Sequence, residues 1–307
     1  LADNAVGLAQ MASGTDGNLI TYDASGDPAH VATGSSGQVL TSNGAGAAPT
    51  FQTSSSGDTR NVIINGGMQV WQRSTSVAGA GGSNGYFAAD RMRTSHTGAQ
   101  RYTLSRSTDS PSEFGYSMKF DCTTAEASPG ADNYVFIQYR MEGQDLQNFA
   151  KGTSDAKQYT LSLWVKSPKT GVHCVELYDV ANTRHCSKSF TVSSANTWEK
   201  KTITYPADTT GAVTNSNGHG MCLYFWLMTG SNYNSGTLAT SWASYTAANR
   251  AVGQVNVFDN TSNDFYITGI QLEVGDTATD FQHRSYAEEL SRCLRYYWKD
   301  QATEAYK

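Results

Sequence analysis

From Arg60 onward the chain repeats one pattern. Short segments carry an apolar residue at every second position, and clusters of Gly, Ser, Thr, Asn and Asp separate them. Side chains two apart lie on the same face of a strand, so each segment offers one face to a core and the other to water. Tyr159–Lys166 shows it clearly: Tyr159, Leu161, Leu163 and Val165 alternate with Thr160, Ser162, Trp164 and Lys166. Arg101–Ser107 alternates through Tyr102 and Leu104, and Tyr116–Asp121 sets Tyr116, Met118 and Phe120 on one face. The denser Tyr134–Tyr139 predicts a central strand. Val172–Tyr178 and His185–Val192 predict a hairpin turning at Ala181-Asn182-Thr183. Asn61–Trp71, Trp198–Tyr205, Met221–Met228, Val252–Phe258 and Phe265–Val274 complete a set of about ten strands. The expected class is all-β, a jelly-roll-like β-sandwich with Greek-key connections. Two stretches break the period. Asp145–Ala150 predicts a short helical turn. Ser285–Tyr297 predicts a C-terminal helix, with Ala287, Leu290, Leu294 and Tyr297 at helical spacing and Ser285 and Glu288 as a capping box.

Composition agrees with many short strands and polar turns. Charged residues are 16% of the chain, against a typical share of about 25%. The 17 Tyr, 11 Phe and 6 Trp need a packed interior, which excludes disorder over most of the length. A net charge of −5 argues against a nucleic-acid partner, which a basic face would attract. No run of 18 apolar residues occurs, so membrane insertion is not expected. There is no basic-then-apolar start. Leu1 onward reads as mid-protein sequence, the expectation being the end of a longer polypeptide. The 5 cysteines are scattered without a CxxC, which fits free thiols better than a disulfide framework.

Residues 1–59 are different. They contain no Lys, Arg, Glu, Cys or Trp, and their large apolar residues come in bursts: Val6–Leu8, Leu19-Ile20 with Tyr22, Val39-Leu40, and Phe51. So polar and short a segment cannot bury a core alone. It is either a flexible linker or a fibrous segment in which several copies share each apolar cluster. The regular spacing favours the second, since a linker needs no Leu-Ile-Thr-Tyr. The predicted organisation is a fibrous segment at 1–59 and a sandwich domain at 60–307.

Two stretches, Gly14-Thr15-Asp16-Gly17-Asn18-Leu19-Ile20-Thr21-Tyr22-Asp23 and Gly37-Gln38-Val39-Leu40 through Pro49-Thr50-Phe51, resemble the shaft module upstream of the tip domain in fibre proteins of tailed bacteriophages. Asn65-Gly66-Gly67-Met68-Gln69-Val70-Trp71-Gln72-Arg73 resembles the start of many phage tip domains. Leu163–Ser167, Asn196–Lys201 and Ile270–Gly275 are similar, in the same order, to strings in carbohydrate-binding-module-like jelly rolls of virion proteins. Phe281–Ser285 and Cys293–Tyr297 resemble the end of that group. The resemblance implies an intertwined homotrimer in the virion, assembled in the host cytoplasm. It further implies attachment to other tail or head proteins through the N-terminal region, and recognition of host cell-surface polysaccharide. It carries over no catalytic residues and no cofactor.

Catalytic and metal chemistry are weakly signalled. His173-Cys174 and His185-Cys186 would lie across a hairpin, His173 beside Cys186 and Cys174 beside His185. That gives at most two ligands per face where structural zinc needs four, so cross-strand pairs without metal are expected. Cys174 and Cys186 would form a disulfide only if directly opposite. The acid pairs Glu142/Asp145 and Asp259/Asp264 are the nearest candidates for glycoside hydrolysis, but both sit in turn contexts. Neither G-x-S-x-G nor a P-loop occurs, and no β-helix repeat is present. A non-enzymatic role is therefore expected. A fibre-borne glycan-degrading enzyme and a head or tail decorating fibre are the alternatives.

Aromatics are the stronger lead, because sugar rings stack on Tyr and Trp while amides bond their hydroxyls. Thr229–Asn249 holds Tyr233, Trp242 and Tyr245 among Asn232 and Asn234, in a long segment without clear alternation. These five residues are the predicted glycan contacts. A capped sheet edge or a subunit contact is the competing reading. Trp71, Trp164, Trp198 and Trp226 are read as core, interface or sheet-face residues.

Overall fold

The computed structural model describes residues 15–35, 38–53, 61–80 and 82–299. The apolar burst Val6–Leu8 and the first residues, Gly14 and Gly37, of the two quoted N-terminal strings lie outside them. The chain divides into two compact units, Leu1–Asp58 and Thr59–Lys307.

The first unit has two antiparallel hairpins. β1 (Leu19–Tyr22) pairs with β2 (Pro28–Val31), Leu19 opposite Val31. The Asp23 carboxylate closes their turn by accepting from the Ser25 and Asp27 amides at 2.9 and 3.0 Å. β3 (Gln38–Thr41) pairs with β4 (Thr50–Thr53), Leu40 opposite Phe51. Among the described hydrophobic side chains of this unit, Val31 alone is buried.

The second unit is a jelly-roll-like sandwich of two antiparallel six-stranded sheets. Its strands are β5 (Ser76–Ala80), β6 (Arg93–Thr97), β7 (Arg101–Ser107), β8 (Ser117–Thr124), β9 (Tyr134–Glu142), β10 (Tyr159–Lys166), β11 (Gly171–Asp179), β12 (Arg184–Val192), β13 (Glu199–Tyr205), β14 (His219–Thr229), β15 (Ala243–Ser244) and β16 (Asp264–Val274). One sheet runs β13-β10-β16-β8-β7-β5 and the other β15-β12-β11-β14-β9-β6. The alternating residues do what their spacing demands. Leu161, Leu163 and Val165 of the first sheet and Ile137, Leu177, Leu223 and Phe225 of the second share one core cluster. β9 has a neighbour on each side and is buried along most of its length.

Two predicted strands are not strands. Asn61–Trp71 is an irregular crossing loop, with Asn65 and Met68 at φ 61° and 54°. The Asn65 side chain holds it: Nδ2 donates to the Val70 and Asp90 carbonyls at 2.9 and 3.0 Å, and Oδ1 accepts from Val70 N. At Gly66 a Cβ would stand 2.0 Å from the Ile270 carbonyl oxygen, so the loop lies against β16 only because that residue is glycine. Val252–Phe258 is a run of turns whose amides bond single carbonyls, Val255 N to Val172 and Val257 N to Leu227.

Asp145–Ala150 corresponds to a 3-10 helix over Gly143–Phe149. The C-terminal helix, α2, spans Tyr286–Leu294, with Ser285 Oγ accepting from Glu288 N at 3.3 Å. Glu288 and Glu289 fall in its first turn and Arg292 in its last, the order that suits the helix dipole. The helix closes on the crossing loop. Cys293 packs with Ile64 and Val70, Asn65 N donates to Glu289, and the Arg73 and Arg91 guanidiniums stack 3.5 and 3.4 Å from the Tyr297 and Tyr296 ring centres. Among the described residues no helix is long and apolar enough to cross a membrane.

The β11–β12 hairpin turns where expected, but its register differs from the predicted one. Asp179 pairs with Arg184, which puts His173 opposite Phe190, Cys174 opposite Ser189, His185 opposite Tyr178 and Cys186 opposite Leu177. The predicted His–Cys neighbours never meet, and all five cysteines are buried free thiols. His173 instead lies between the Phe190 and Phe265 rings, 5.5 Å from each. Burial there lowers its pKa from 6.5 to about 4. Above pH 6.5 both folded and unfolded states hold this histidine neutral. As pH falls, the unfolded chain takes the proton first, so stability drops between pH 6.5 and 4, by about 3 kcal/mol at most. Urea unfolding at pH 7, 5.5 and 4 should show a shallower decline for His173→Phe than for the wild type. Parallel declines would contradict this account.

Candidate functional site

The second sheet buries its outer face as well as its inner one. Antiparallel partners share a face, so rows of side chains cross it. Gln138, Tyr224, Glu176 and Ser187 form one row, and Arg140, Cys222, Tyr178 and His185 the next. Phe136, Cys174, Cys222, Tyr224 and Trp226 make a second apolar cluster on this face. The segment from Gly230 to Asn256 lies over it as a strap, with Tyr233, Leu238 and Ala251 packed into the cluster.

The strap is pinned by a charge. Glu176 is fully buried on β11, and no water reaches its carboxylate. It accepts from Arg250 Nε at 3.0 and 2.9 Å, from Trp226 Nε1 at 3.3 Å and faces His185 Nδ1 at 3.0 Å. The Arg250 guanidinium stands 4.7 Å from the Trp226 ring centre, 5.0 Å from Tyr224 and 5.3 Å from Tyr245. Burial opposes its charge, but the attraction and hydrogen bonds of Glu176 outweigh that and raise its pKa. Backbone bonds fix the rest. Ser187 N donates to Ala239 O at 2.7 Å, Ala251 N to Tyr233 O at 2.9 Å and Tyr245 N to Thr183 O at 3.0 Å. The two-residue β15 extends the sheet beside β12.

The five predicted contact residues all lie in this strap and do different work. Tyr233 sits in the four-residue helix α1 (Ser231–Asn234), 5.6 Å from both Trp226 and Tyr134. Asn232 Nδ2 donates to Asp132, and Asn234 Nδ2 reaches Thr229 O at 3.5 Å. Trp242 points elsewhere. Its Nε1 donates to Pro206 O at 2.9 Å, and its ring lies 5.2 Å from the ammonium of Lys151. That ammonium is buried between Asp179 and Asp208. Tyr245 remains 37% exposed. Its ring meets Tyr178 at 5.5 Å and 64°, forming a corner at the uncovered part of the face. A pyranose stacked on one ring would meet the edge of the other. Arg140 lies along the same row, and exposed His219 reaches Cys222 of that row at 2.8 Å. Tyr178 carries no strong signal in the sequence, because its place beside Tyr245 depends on the strap.

Three of the four acids in these pairs face a cation, while burial and then the neighbouring Glu142 charge raise the pKa of Asp145. Glu142 bonds Arg295 at 2.7 Å, Asp259 pairs with Lys169, and Asp264 lies 3.3 Å from Lys119. Arg295 and its hydrogen bonds hold Glu142 below its ordinary pKa against a burial effect that raises it. No group of three or more His, Cys, Asp or Glu able to hold a metal ion occurs among the described residues.

No protein-family model matches the chain, and no curated protein matches it. Several solved structures are similar in fold. The enzymatically active domain of bacteriophage CBA120 tailspike protein 4 is 10% identical over 70% of this chain, with a TM-score of 0.34. This chain spans about a fifth of that protein, 21%. The family 11 carbohydrate-binding module of Clostridium thermocellum Lic26A-Cel5E is 12% identical over 64% of this chain and 94% of the module, with a TM-score of 0.32. The C-terminal family 22 module of Clostridium thermocellum Xyn10B is 13% identical over 61% and 88%, with a TM-score of 0.30. These likenesses are distant, and the functional reading rests on the residues of this chain.

Arg250→Met should leave the Glu176 charge buried without its main partner. The expected loss is about 3–5 kcal/mol, with protease cleavage appearing inside the strap. Adding Glu176→Gln should restore part of that stability. A single variant as stable and as protease-resistant as the wild type would show that the ion pair does not hold the strap.

Proposed function

We propose that the protein is a homotrimeric fibre of a tailed-phage virion, with its sandwich unit recognising glycans on the host surface. One observation carries the assembly. In the first unit, Leu19, Ile20 and Tyr22 are 41%, 53% and 67% exposed, and Val39 and Leu40 are each 48% exposed. Neighbours on a strand point to opposite faces, so both hairpins show apolar side chains on both sides. Isolated two-stranded hairpins are marginal in water, and these have no core of their own. A twofold partner would cover one face by one self-complementary contact. In a closed ring of three, each copy has two neighbours and both faces are covered. The resemblance of these same strings to phage fibre shafts supports the reading.

Glycan recognition is supported by the Tyr178–Tyr245 corner and by the jelly-roll fold, and a trimer would present three such sites for avid binding. Light scattering of the intact protein should give three times the 33.1 kDa chain mass. Replacing Leu19, Ile20 and Tyr22 with serine should reduce it to one chain. A wild-type monomer would sink the fibre reading. On an array of bacterial surface polysaccharides the intact protein should bind without releasing oligosaccharide. Released product would favour the glycan-degrading alternative.

A further inference from the structure

Around the crossing loop the sandwich unit has an open groove of about 450 Å³, lined by Gln69, Trp71, Arg106, Gly115, Tyr116 and Tyr286. It is within the size range of small-ligand sites. Its chemistry differs from that of the strapped face. There, Gln138 donates to Tyr224 at 2.9 Å, Arg140 donates to Gln138, and His219 meets Cys222, so the polar groups serve one another. In the groove two polar groups are unengaged. Gln69 makes no side-chain hydrogen bond among the described residues. The exposed Arg106 has no carboxylate partner among them. Its guanidinium lies 4.4 Å from the Tyr116 ring centre, held by stacking alone. Trp71 is buried in the core cluster and its Nε1 is satisfied by Met68 O at 2.6 Å, so the indole offers neither an open ring face nor an unmet donor. Tyr286 opens α2 and is 57% exposed.

We propose that this groove binds a carboxylate-bearing sugar residue, a uronate-type pyranose of an acidic polysaccharide. Tyr286 supplies a ring surface for the apolar side of a pyranose, and the Gln69 amide can bond hydroxyls. The Arg106 fork is matched to a carboxylate, to which it can donate two parallel hydrogen bonds. Arg106 gains a charge-assisted partner from the acidic sugar and none from a neutral one, so the groove favours the uronate. The proposal deepens the glycan-recognition reading and rests on it. It assigns the ligand class to a site separate from the Tyr178–Tyr245 corner.

The test is a ligand-observed NMR titration of the intact protein with methyl β-glucuronoside and methyl β-glucoside. The wild type should bind the glucuronoside at least about tenfold more tightly, the scale of one charge-assisted contact. Arg106→Gln keeps a planar polar group and should abolish that preference while glucoside binding stays. Tyr286→Ala should weaken both sugars. Both positions are at the surface, and thermal melting checks that the variants fold. In a Tyr245→Ala background, which removes the corner, the glucuronoside preference should persist. Equal affinity for the two sugars, or an Arg106→Gln variant that keeps the preference, overturns the proposal and leaves the glycan reading standing. If neither sugar binds and the polysaccharide array is also blank, both fall. If Arg106→Gln or Tyr286→Ala changes the mass of the assembly, the groove is a contact between copies and the proposal is overturned.

Discussion

A carboxylate placed where no water reaches it organises one whole side of the sandwich. Glu176 stands on the outer face of a central strand, among aromatic rings. A charge in that position is tolerable only if it is paired and its lone pairs are filled. Arg250, Trp226 and His185 do this, and Arg250 comes from a segment far along the chain. The strap is therefore a requirement of the face and not an ornament on it. Phe136, Tyr224 and Trp226 would otherwise form a broad exposed aromatic surface. With the strap in place that surface becomes a second core, and the Tyr178–Tyr245 corner stays open.

A second closure ties the two ends of the sandwich unit together. The loop after Asn61 and the helix after Ser285 are distant in sequence. They meet through Glu289, Cys293 and two arginines stacked on Tyr296 and Tyr297. The strings Asn65–Arg73 and Cys293–Tyr297 at the two ends of the domain are thus halves of one contact. The groove assigned to an acidic sugar is its outer surface: Gln69 and Trp71 come from the loop, and Tyr286 from the helix.

The two units solve the burial problem in opposite ways. The sandwich closes two sheets on an interior of its own. The N-terminal hairpins have apolar side chains on both faces, and among the described hydrophobic residues of that unit Val31 alone is buried. Their residues are the same strand-forming types found in the sandwich. What differs is the number of strands available to share a core.

Much of the fold was legible because strand period and burial are the same fact seen twice. An apolar residue at every second position requires a face to bury, and β7 to β14 and β16 appear near where that pattern occurs. The capping box at Ser285 was equally readable, since it involves neighbouring residues alone. The pattern failed where other forces shape the chain. Asn61–Trp71 is apolar enough for a strand, but the Asn65 hydrogen bonds and the close passage of Gly66 over β16 make it a loop. Arg93–Thr97 has almost no apolar residue, yet it forms β6 because β9 offers an unpaired edge. The hairpin register put His173 against phenylalanine, which no spacing rule foresaw. For the site, sequence located the strap and its aromatics. It could not show that Tyr233 and Trp242 face inward while Tyr245 stays at the surface. Local periodicity and neighbouring groups were enough to set the β class, the break in composition near residue 60 and the cap of the last helix. Which aromatics are used up by packing and which polar groups are left unengaged depends on partners remote in sequence, so those outcomes come from the folded chain.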